Sequence, residues 1–313
     1  MTTAHIDEHA EIPPPRVEEV SPGIFGYVQL DGSWGLNNTG FIVGKDGVIV
    51  IDTCFTEKRS RWFYDAVRKT AGEKAIRTLV NTHHHGDHTH GNYVFLPAAT
   101  IIGHELCREE VIATGQATKG MFPGVDWGEI VVAPPVVTFE ERLNLYVDDL
   151  RVELIFAGPA HTTNDIVAWI PERRVLFAGD IVFNEGTPFA MMGSVAGWLD
   201  ALERLKRLDI ETIVPGHGPV CGPGVLEEVG DYLRMVQEAA QRGSDAGIGP
   251  LETAYQTDLG RFESLLDKER LVGNLHRAFS ELRGEPRGVA LNLGAVVAEM
   301  VQYNGGQMPR CLA

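Results

Sequence analysis

Asn81-Thr82-His83-His84-His85-Gly86-Asp87-His88-Thr89-His90-Gly91-Asn92 is the most informative stretch of this chain. Five of the eight residues from His83 to His90 are histidine, a density that neither core packing nor a solvated face calls for. The run IRTLVNT before it is short and apolar and reads as a buried strand, so the histidines stand where a strand ends in a glycine-containing turn. Alternate residues of an extended segment point the same way, which lets His83 and His85 aim at one point. Past the turn, Asp87 and His88 can aim at a second point close by. Imidazole nitrogen and carboxylate oxygen together suit zinc, and other first-row metals as well.

Two protein ligands do not hold a metal ion, so further His and Asp residues are expected downstream. His161 lies in GPAHTTND, Asp180 ends the run VLFAGD, and His217 lies in PGHG after ETIV. Each falls at the end of an expected strand, where loops gather functional groups above a sheet.

This ordered set, the HxHxDH pattern of His83, His85, Asp87 and His88 followed by His161, Asp180 and His217, resembles the metallo-β-lactamase-fold metallohydrolase superfamily over roughly residues 24–224. The resemblance implies an α/β fold, a four-layer αββα sandwich with two metal ions at one edge. It also implies that His83, His85 and His161 bind the first ion, that Asp87, His88 and His217 bind the second, and that Asp180 bridges them. GPAHTTNDIVAWIPERRVLFAGD is similar to the corresponding segment of zinc β-lactamases. The main antibiotic-hydrolysing subclass, however, has cysteine where this chain has Asp180, and a carboxylate there resembles the thioesterase, lactonase and glyoxalase II branches. No clear pair of basic residues for glutathione stands out, which disfavours glyoxalase II itself.

The implied chemistry is hydrolysis of a small ester, thioester or lactone by a hydroxide bridging two Zn2+ ions, with Fe or Mn as alternative metals. Asp87 then has a second duty, orienting the hydroxide and carrying a proton towards the leaving group. Asp52, at the end of GVIVID, is expected to fix the orientation of a ligand. Trp34, Phe122, Trp127, Phe189, Met191 and Met192 lie in irregular stretches near the ligand-bearing loops, and they suggest a substrate pocket for an apolar or aromatic acyl compound. Alternatives are a polyketide cyclase or cyclase-thioesterase using the same site, a β-lactamase-like amide hydrolase, a mononuclear iron oxygenase, and a metal-binding protein without turnover.

Composition narrows the partners. The 313 residues are 44% hydrophobic, enough for a sizeable core, and carry a formal net charge of −16. So acidic a surface repels a phosphate backbone, so a nucleic-acid partner is not expected. No run of about 20 apolar residues suggests a membrane span. The first residues lack the pattern of a secretory signal, and Cys54, Cys107, Cys221 and Cys311 are scattered without CxxC spacing, so a cytoplasmic protein with reduced thiols is expected. Self-association into a homo-oligomer is left open.

The chain reads as a flexible N-terminal arm over residues 1–20, a catalytic domain over 21–224, and a helical C-terminal extension over 225–313 packed on it. Helices are expected over 56–71, with Trp62, Phe63, Ala66 and Val67 on one face, and over 198–208, with Leu199, Leu202, Leu205 and Leu208 on one face. Three more are expected over 225–242, 261–283 and 289–303. Residues 114–135 form a long Gly/Pro-containing connection of the kind that is usually functional or mobile. Outside the ligand set, His84 and His90 are expected as exposed or hydrogen-bonded loop residues, His104 as a surface or capping residue, and His5, His9 and His276 as exposed. Cys54 is the one thiol close enough to the ligand-bearing strand ends to be tested for reactivity.

Overall fold

The computed structural model describes residues 12–313. Its first sheet has seven strands in chain order: β1 (Arg16–Ser21), β2 (Ile24–Val28), β3 (Thr39–Val43), β4 (Val48–Ile51), β5 (Ile76–Val80), β6 (Thr100–His104) and β7 (Val137–Phe139). Strands β1 to β4 pair antiparallel, through short turns except for the longer loop between β2 and β3. The change to parallel pairing comes at β5, because a helical crossover separates β4 from β5. That crossover is α1 (Glu57–Ala71), capped by Thr56 at its start and closed by Gly72 at φ 65°. The short α2 (Gly86–Thr89) follows β5, and α3 (Glu105–Thr114) follows β6.

The second sheet has five strands, β8 (Arg142–Val147), β9 (Leu150–Phe156), β10 (Ile166–Ile170), β11 (Val175–Phe183) and β12 (Thr212–His217), in the order β12-β11-β10-β9-β8. Both β10 and β11 are buried at every position, and their runs, apolar except at Asp180, fit strands covered on both faces. Helix α4 (Val195–Leu205) crosses between β11 and β12, and α5 (Val225–Asp245), α6 (Pro250–Gln256), α7 (Arg270–Leu282) and α8 (Leu293–Tyr303) follow.

Three apolar cores define the layers. Ile42, Ile51, Val80, Leu154, Ala168 and Phe177 fill the space between the sheets. Phe41, Leu79, Phe63 and Val67 join the outer face of the first sheet to α1. Ile181, Trp198, Leu233 and Leu275 join the outer face of the second sheet to α4, α5 and α7. The result is a helix-sheet-sheet-helix sandwich in which the C-terminal helices share a core with the second sheet. Close approach of the sheets depends on Gly40, where a side chain would collide with the ring of Phe177. Among the described residues, no helix is long and apolar enough to cross a membrane.

Several expectations need correction. The arm expected over 1–20 is ordered at its end, since Arg16–Ser21 form an edge strand paired with β2. The rest of that arm, with His5 and His9, lies outside the described residues. The helix expected over 261–283 is two pieces, a 3₁₀ turn at Gly260–Ser264 and α7 from Arg270. The break lets Leu266 exchange backbone hydrogen bonds with Glu185 and Thr187, a tertiary gain that overrides local helical preference. Helix α6 was not anticipated; Pro250 occupies its first turn. Helix α4 starts three residues before the expected 198, because Ser194 caps it by accepting from the backbone N–H of Gly197, and α8 starts after its own cap, Asn292. Trp62 is exposed, with the Lys58 ammonium 4.8 Å above its ring, instead of sharing the buried face of Phe63 and Val67. His276 is half-buried and meets Glu299 of α8 at 2.8 Å instead of facing solvent.

Candidate metal centre

The carboxyl ends of the central strands converge at one edge of the sandwich. Beyond β5 lie His83, His85, Asp87 and His88; the loop from β9 to β10 carries His161; β11 carries Asp180, and β12 ends at His217. Asp180 does not end its strand as expected, since β11 runs on to Phe183. The ladder to β12 is instead interrupted between Gly179 and Phe183, and this irregularity turns Asp180 to the site. Gly216 makes room for it, because a side chain there would overlap Asp180 Oδ1.

Two groups of potential ligand atoms result, each with its atoms within 4.8 Å of one another: His83, His85, His161 and Asp180 in one, Asp87, His88 and His217 in the other. Asp180 also stands between them, 3.0 Å from His88 Nε2 and 3.5 Å from His217 Nε2. Asp87 Oδ2 is 3.3 Å from His217 Nε2.

The outer partners decide which ring nitrogen faces inward. His88 donates Nδ1–H to Asp52 at 2.9 Å, His217 donates to the carbonyl of Gly32 at 3.0 Å, and His161 donates to the carbonyl of Phe189. Thr82 gives its hydroxyl proton to Asp52 at 2.6 Å, so its oxygen can only accept from His83 Nδ1 at 3.1 Å. Four imidazoles therefore turn Nε2 to the centre, where each can offer a lone pair to a cation once any proton on it has left. His85 faces inward with Nδ1, only 2.9 Å from His161 Nε2. Lone pairs that crowded need a cation or a proton between them. His83 Nε2 is buried without any hydrogen-bond partner, and His88 Nε2 and Asp180 Oδ1, 3.0 Å apart, face only each other; atoms left so poorly satisfied are costly unless an ion completes them. By this measure the donor set fits divalent metal ions.

Electrostatics in the metal-free protein point the same way. Burial pushes His83 and His85 well below the usual imidazole range, so both are neutral ligands in waiting. For His217 burial pulls downward, but the Asp180 and Asp87 carboxylates outweigh it and push the ring up to about 9, so without metal a proton stands where the cation would. Burial would also raise Asp180, yet the imidazoles of His217, His88 and His161 hold it well below the ordinary carboxylate range.

Asp52 links the two groups. It accepts from the Thr82 backbone N–H at 2.7 Å, from the Thr82 hydroxyl and from His88, so it orients one ring of each group. Its backbone takes φ 59°, a strained setting for a non-glycine residue at the strand end. Asp165 does comparable work for His161, since its carboxylate accepts from the backbone N–H and hydroxyl of Thr162 and holds the turn.

A cavity of about 200 Å³ opens over the centre. Trp34, Phe122, Phe189, Met191 and Met192 line it, together with Asp87, His85, His161, Asp180 and His217. Trp127 does not; it packs edge-on against Phe55 at 4.6 Å, one layer behind the wall. Sequence reading missed Phe55, Phe183, Arg270, Leu293 and Val297, all of which line the cavity. Arg270 and the two α8 residues come from the C-terminal helices, where nothing local distinguishes them from ordinary helix residues. His84 and His90 are both buried and hydrogen-bonded, to Asn164 and to the Phe55 carbonyl. His104 caps α3 by accepting from the Leu106 backbone N–H. Cys54 is fully buried and burial pushes its thiol up, which disfavours a reactive role.

A family profile described as the metallo-beta-lactamase superfamily matches residues 32–217. The 2,4-dinitroanisole O-demethylase subunit alpha of Nocardioides sp. is 32% identical over 186 residues, which are 58% of this chain and 53% of that protein. The beta-lactamase-like protein 2 homolog of Caenorhabditis elegans is 30% identical over 165 residues, 52% of this chain and 50% of that protein. The chain thus spans about half the length of these curated relatives. Among solved structures, a metallo-beta-lactamase from Pontibacter korlensis superposes with a TM-score of 0.59 at 20% identity, covering 71% of this chain and 99% of that one. At that identity the likeness concerns the fold.

Proposed function

The chain belongs to the metallo-beta-lactamase superfamily, and we propose that it is a dinuclear, zinc-dependent hydrolase of a small apolar or aromatic acyl compound, an ester, thioester or lactone. The observation that carries this reading is the convergence of orphaned imidazole and carboxylate atoms on the floor of a cavity walled by Trp34, Phe122, Phe189 and Met191. His83, His85, His161 and Asp180 would hold one ion, and Asp87, His88 and His217 the other. Divalent ions bound there supply Lewis acidity and an ionised water at neutral pH.

The chain's own groups do the rest. Asp87 is the ligand carboxylate most open to the cavity, with 15% of its side chain exposed, and that places it to take a proton from water and pass it to a leaving group. Asp52 and Asp165 hold the rings of His83, His88 and His161 in one geometry before substrate arrives. The apolar wall that Trp34 and Phe122 share with Phe189 and Met191 would exclude water around a bound substrate, which strengthens electrostatic contacts inside.

A second reading, cleavage of an aryl ether, is favoured by the likeness to the Nocardioides 2,4-dinitroanisole O-demethylase subunit alpha, whose name gives 2,4-dinitroanisole as that protein's substrate. Both readings are tested by assaying zinc-loaded protein on aryl esters, thioesters, lactones, nitrocefin and substituted anisoles in oxygen-18 water. Turnover of an acyl compound with label in the acid supports the first, and phenol release from an anisole supports the second. A poly-β-keto thioester assayed alongside them, closed without incorporated label, would point to the cyclase alternative. His161→Ala should abolish turnover while the far-ultraviolet spectrum stays native, and equal rates in chelator-treated and zinc-loaded protein would overturn the metal-dependent reading.

A further inference from the structure

His84 stands between two proposed ligands, yet it belongs to neither group of converging atoms. Asn164 determines its chemical state. The Asn164 amide oxygen accepts from the backbone N–H of His84 at 3.0 Å, and a backbone N–H can only donate, so the orientation of the carboxamide is set. Its amino group then lies 2.9 Å from His84 Nδ1, which must be the bare, accepting nitrogen. The proton of the neutral ring is therefore on Nε2. That Nε2–H is buried and has no acceptor, although the ring forms part of the wall of the cavity over the metal centre.

The contrast with its neighbours gives this orphan its meaning. The unpartnered Nε2 of His83 carries a lone pair, and a cation satisfies it. The unpartnered Nε2 of His84 carries a hydrogen, and only an acceptor satisfies it. A buried donor kept without an acceptor costs free energy, which a bound ligand's oxygen can recover. We propose that His84 is a substrate-contacting hydrogen-bond donor, fixed in its tautomer by Asn164, whose Nε2–H receives an oxygen of the bound acyl compound or of its carboxylate product. This deepens the hydrolase reading and rests on it for the identity of the ligand. A competing acceptor is a single water in the void of about 10 Å³ that His84 shares with Thr89, His90, Thr114 and Thr118.

The test reads the ring itself. Zinc-loaded, nitrogen-15-labelled protein is titrated with benzoate and phenylacetate, and His84 is followed by two-bond proton–nitrogen correlation, assigned by its loss in His84→Gln. The Nε2–H tautomer before titration and a downfield shift of that proton with either carboxylate are expected. An Nδ1–H tautomer, a proton that exchanges only with a bound water, or a resonance unmoved by both carboxylates overturns the proposal. In parallel, His84→Leu should lower kcat/KM for p-nitrophenyl acetate about tenfold or more with zinc content unchanged. His84→Gln, which keeps an N–H near the place of Nε2, should recover most of that loss, and unchanged kcat/KM in His84→Leu would also overturn the assignment. If the unaltered protein turns over no ester at all, the hydrolase reading fails, while the carboxylate titration still decides the role of His84.

Discussion

Trp34 donates its indole N–H to Glu269 at 2.7 Å, across 235 residues of chain. The next residue, Arg270, places its guanidinium 4.0 Å from the centre of the same indole. Trp34 in turn stands edge-on to Phe189 at 5.2 Å and tilted against Phe122 at 5.8 Å. The start of a C-terminal helix thereby adds a hydrogen bond and a cation–π contact to a wall of the cavity that Phe122 and Phe189 also support.

Glu269→Ala should loosen that wall. We expect a stability loss of about 1–2 kcal/mol in urea unfolding, since a half-buried donor loses its buried carboxylate acceptor. The Michaelis constant for small aryl esters should rise more than kcat falls, because the wall shapes binding and does not touch the reacting atoms. Glu269→Gln keeps an acceptor and should sit between the two. A Trp34 environment identical in all three proteins, read by its indole N–H resonance, would count against the clamp.

Asp52→Asn tests the hub between the two ligand groups. The amide can still accept from Thr82, but it cannot accept both the Thr82 hydroxyl and His88 on its other side. Zinc affinity should fall about 10–100-fold in competition with a chromophoric chelator. Unchanged affinity would mean that Asp52 merely packs.

Metal content should follow the two groups of ligand atoms. The protein should bind two zinc ions per chain by elemental analysis, and His217→Ala should retain one. Saturating zinc should raise the melting temperature by mass action, with stabilisation of about 4 kcal/mol when free zinc exceeds the dissociation constant a thousandfold. A single ion in the unaltered protein, or melting indifferent to chelator, would contradict the arrangement.

Asp267 carries a pH signature of its own. Burial pushes its carboxyl up to about 6, more than the Arg270 guanidinium 2.9 Å away can offset. With the folded value above the unfolded one, the folded state binds more protons between about pH 4 and 6, so this group's contribution to stability falls as pH rises through that window. The difference in unfolding free energy between the unaltered protein and Asp267→Asn should shift by about 2 kcal/mol in favour of the variant from pH 4 to pH 7. A flat difference would show that the ion pair with Arg270 controls the carboxyl instead.

Removal of residues 225–313 should not leave a folded remainder. Leu233 and Leu275 belong to the same core as Trp198 and Ile181, so truncation exposes the outer face of the second sheet. Loss of near-ultraviolet dichroism with dye-binding apolar surface is expected. A soluble fragment that melts cooperatively would mark the extension as a separate unit.

The ligand residues were legible because strand ends and glycine turns leave strong local marks, and because metal chemistry accepts few residue types. His83, His85, Asp87, His88, His161, Asp180 and His217 could thus be picked out one by one, and the folded chain brings them together. The layers were legible for a similar reason, since alternating or unbroken apolar runs depend on neighbours only through burial. The break before Arg270 was not, because a backbone exchange between Leu266 and the loop after β11 outweighs local helical preference. The tautomer of His84, the link through Thr82 and Asp52, and the hold of Glu269 on Trp34 depend on distances of a few ångströms between residues far apart in the chain. Periodicity and spacing carry the kinds of groups a site contains; only packing in three dimensions sets which atom of each group faces which partner.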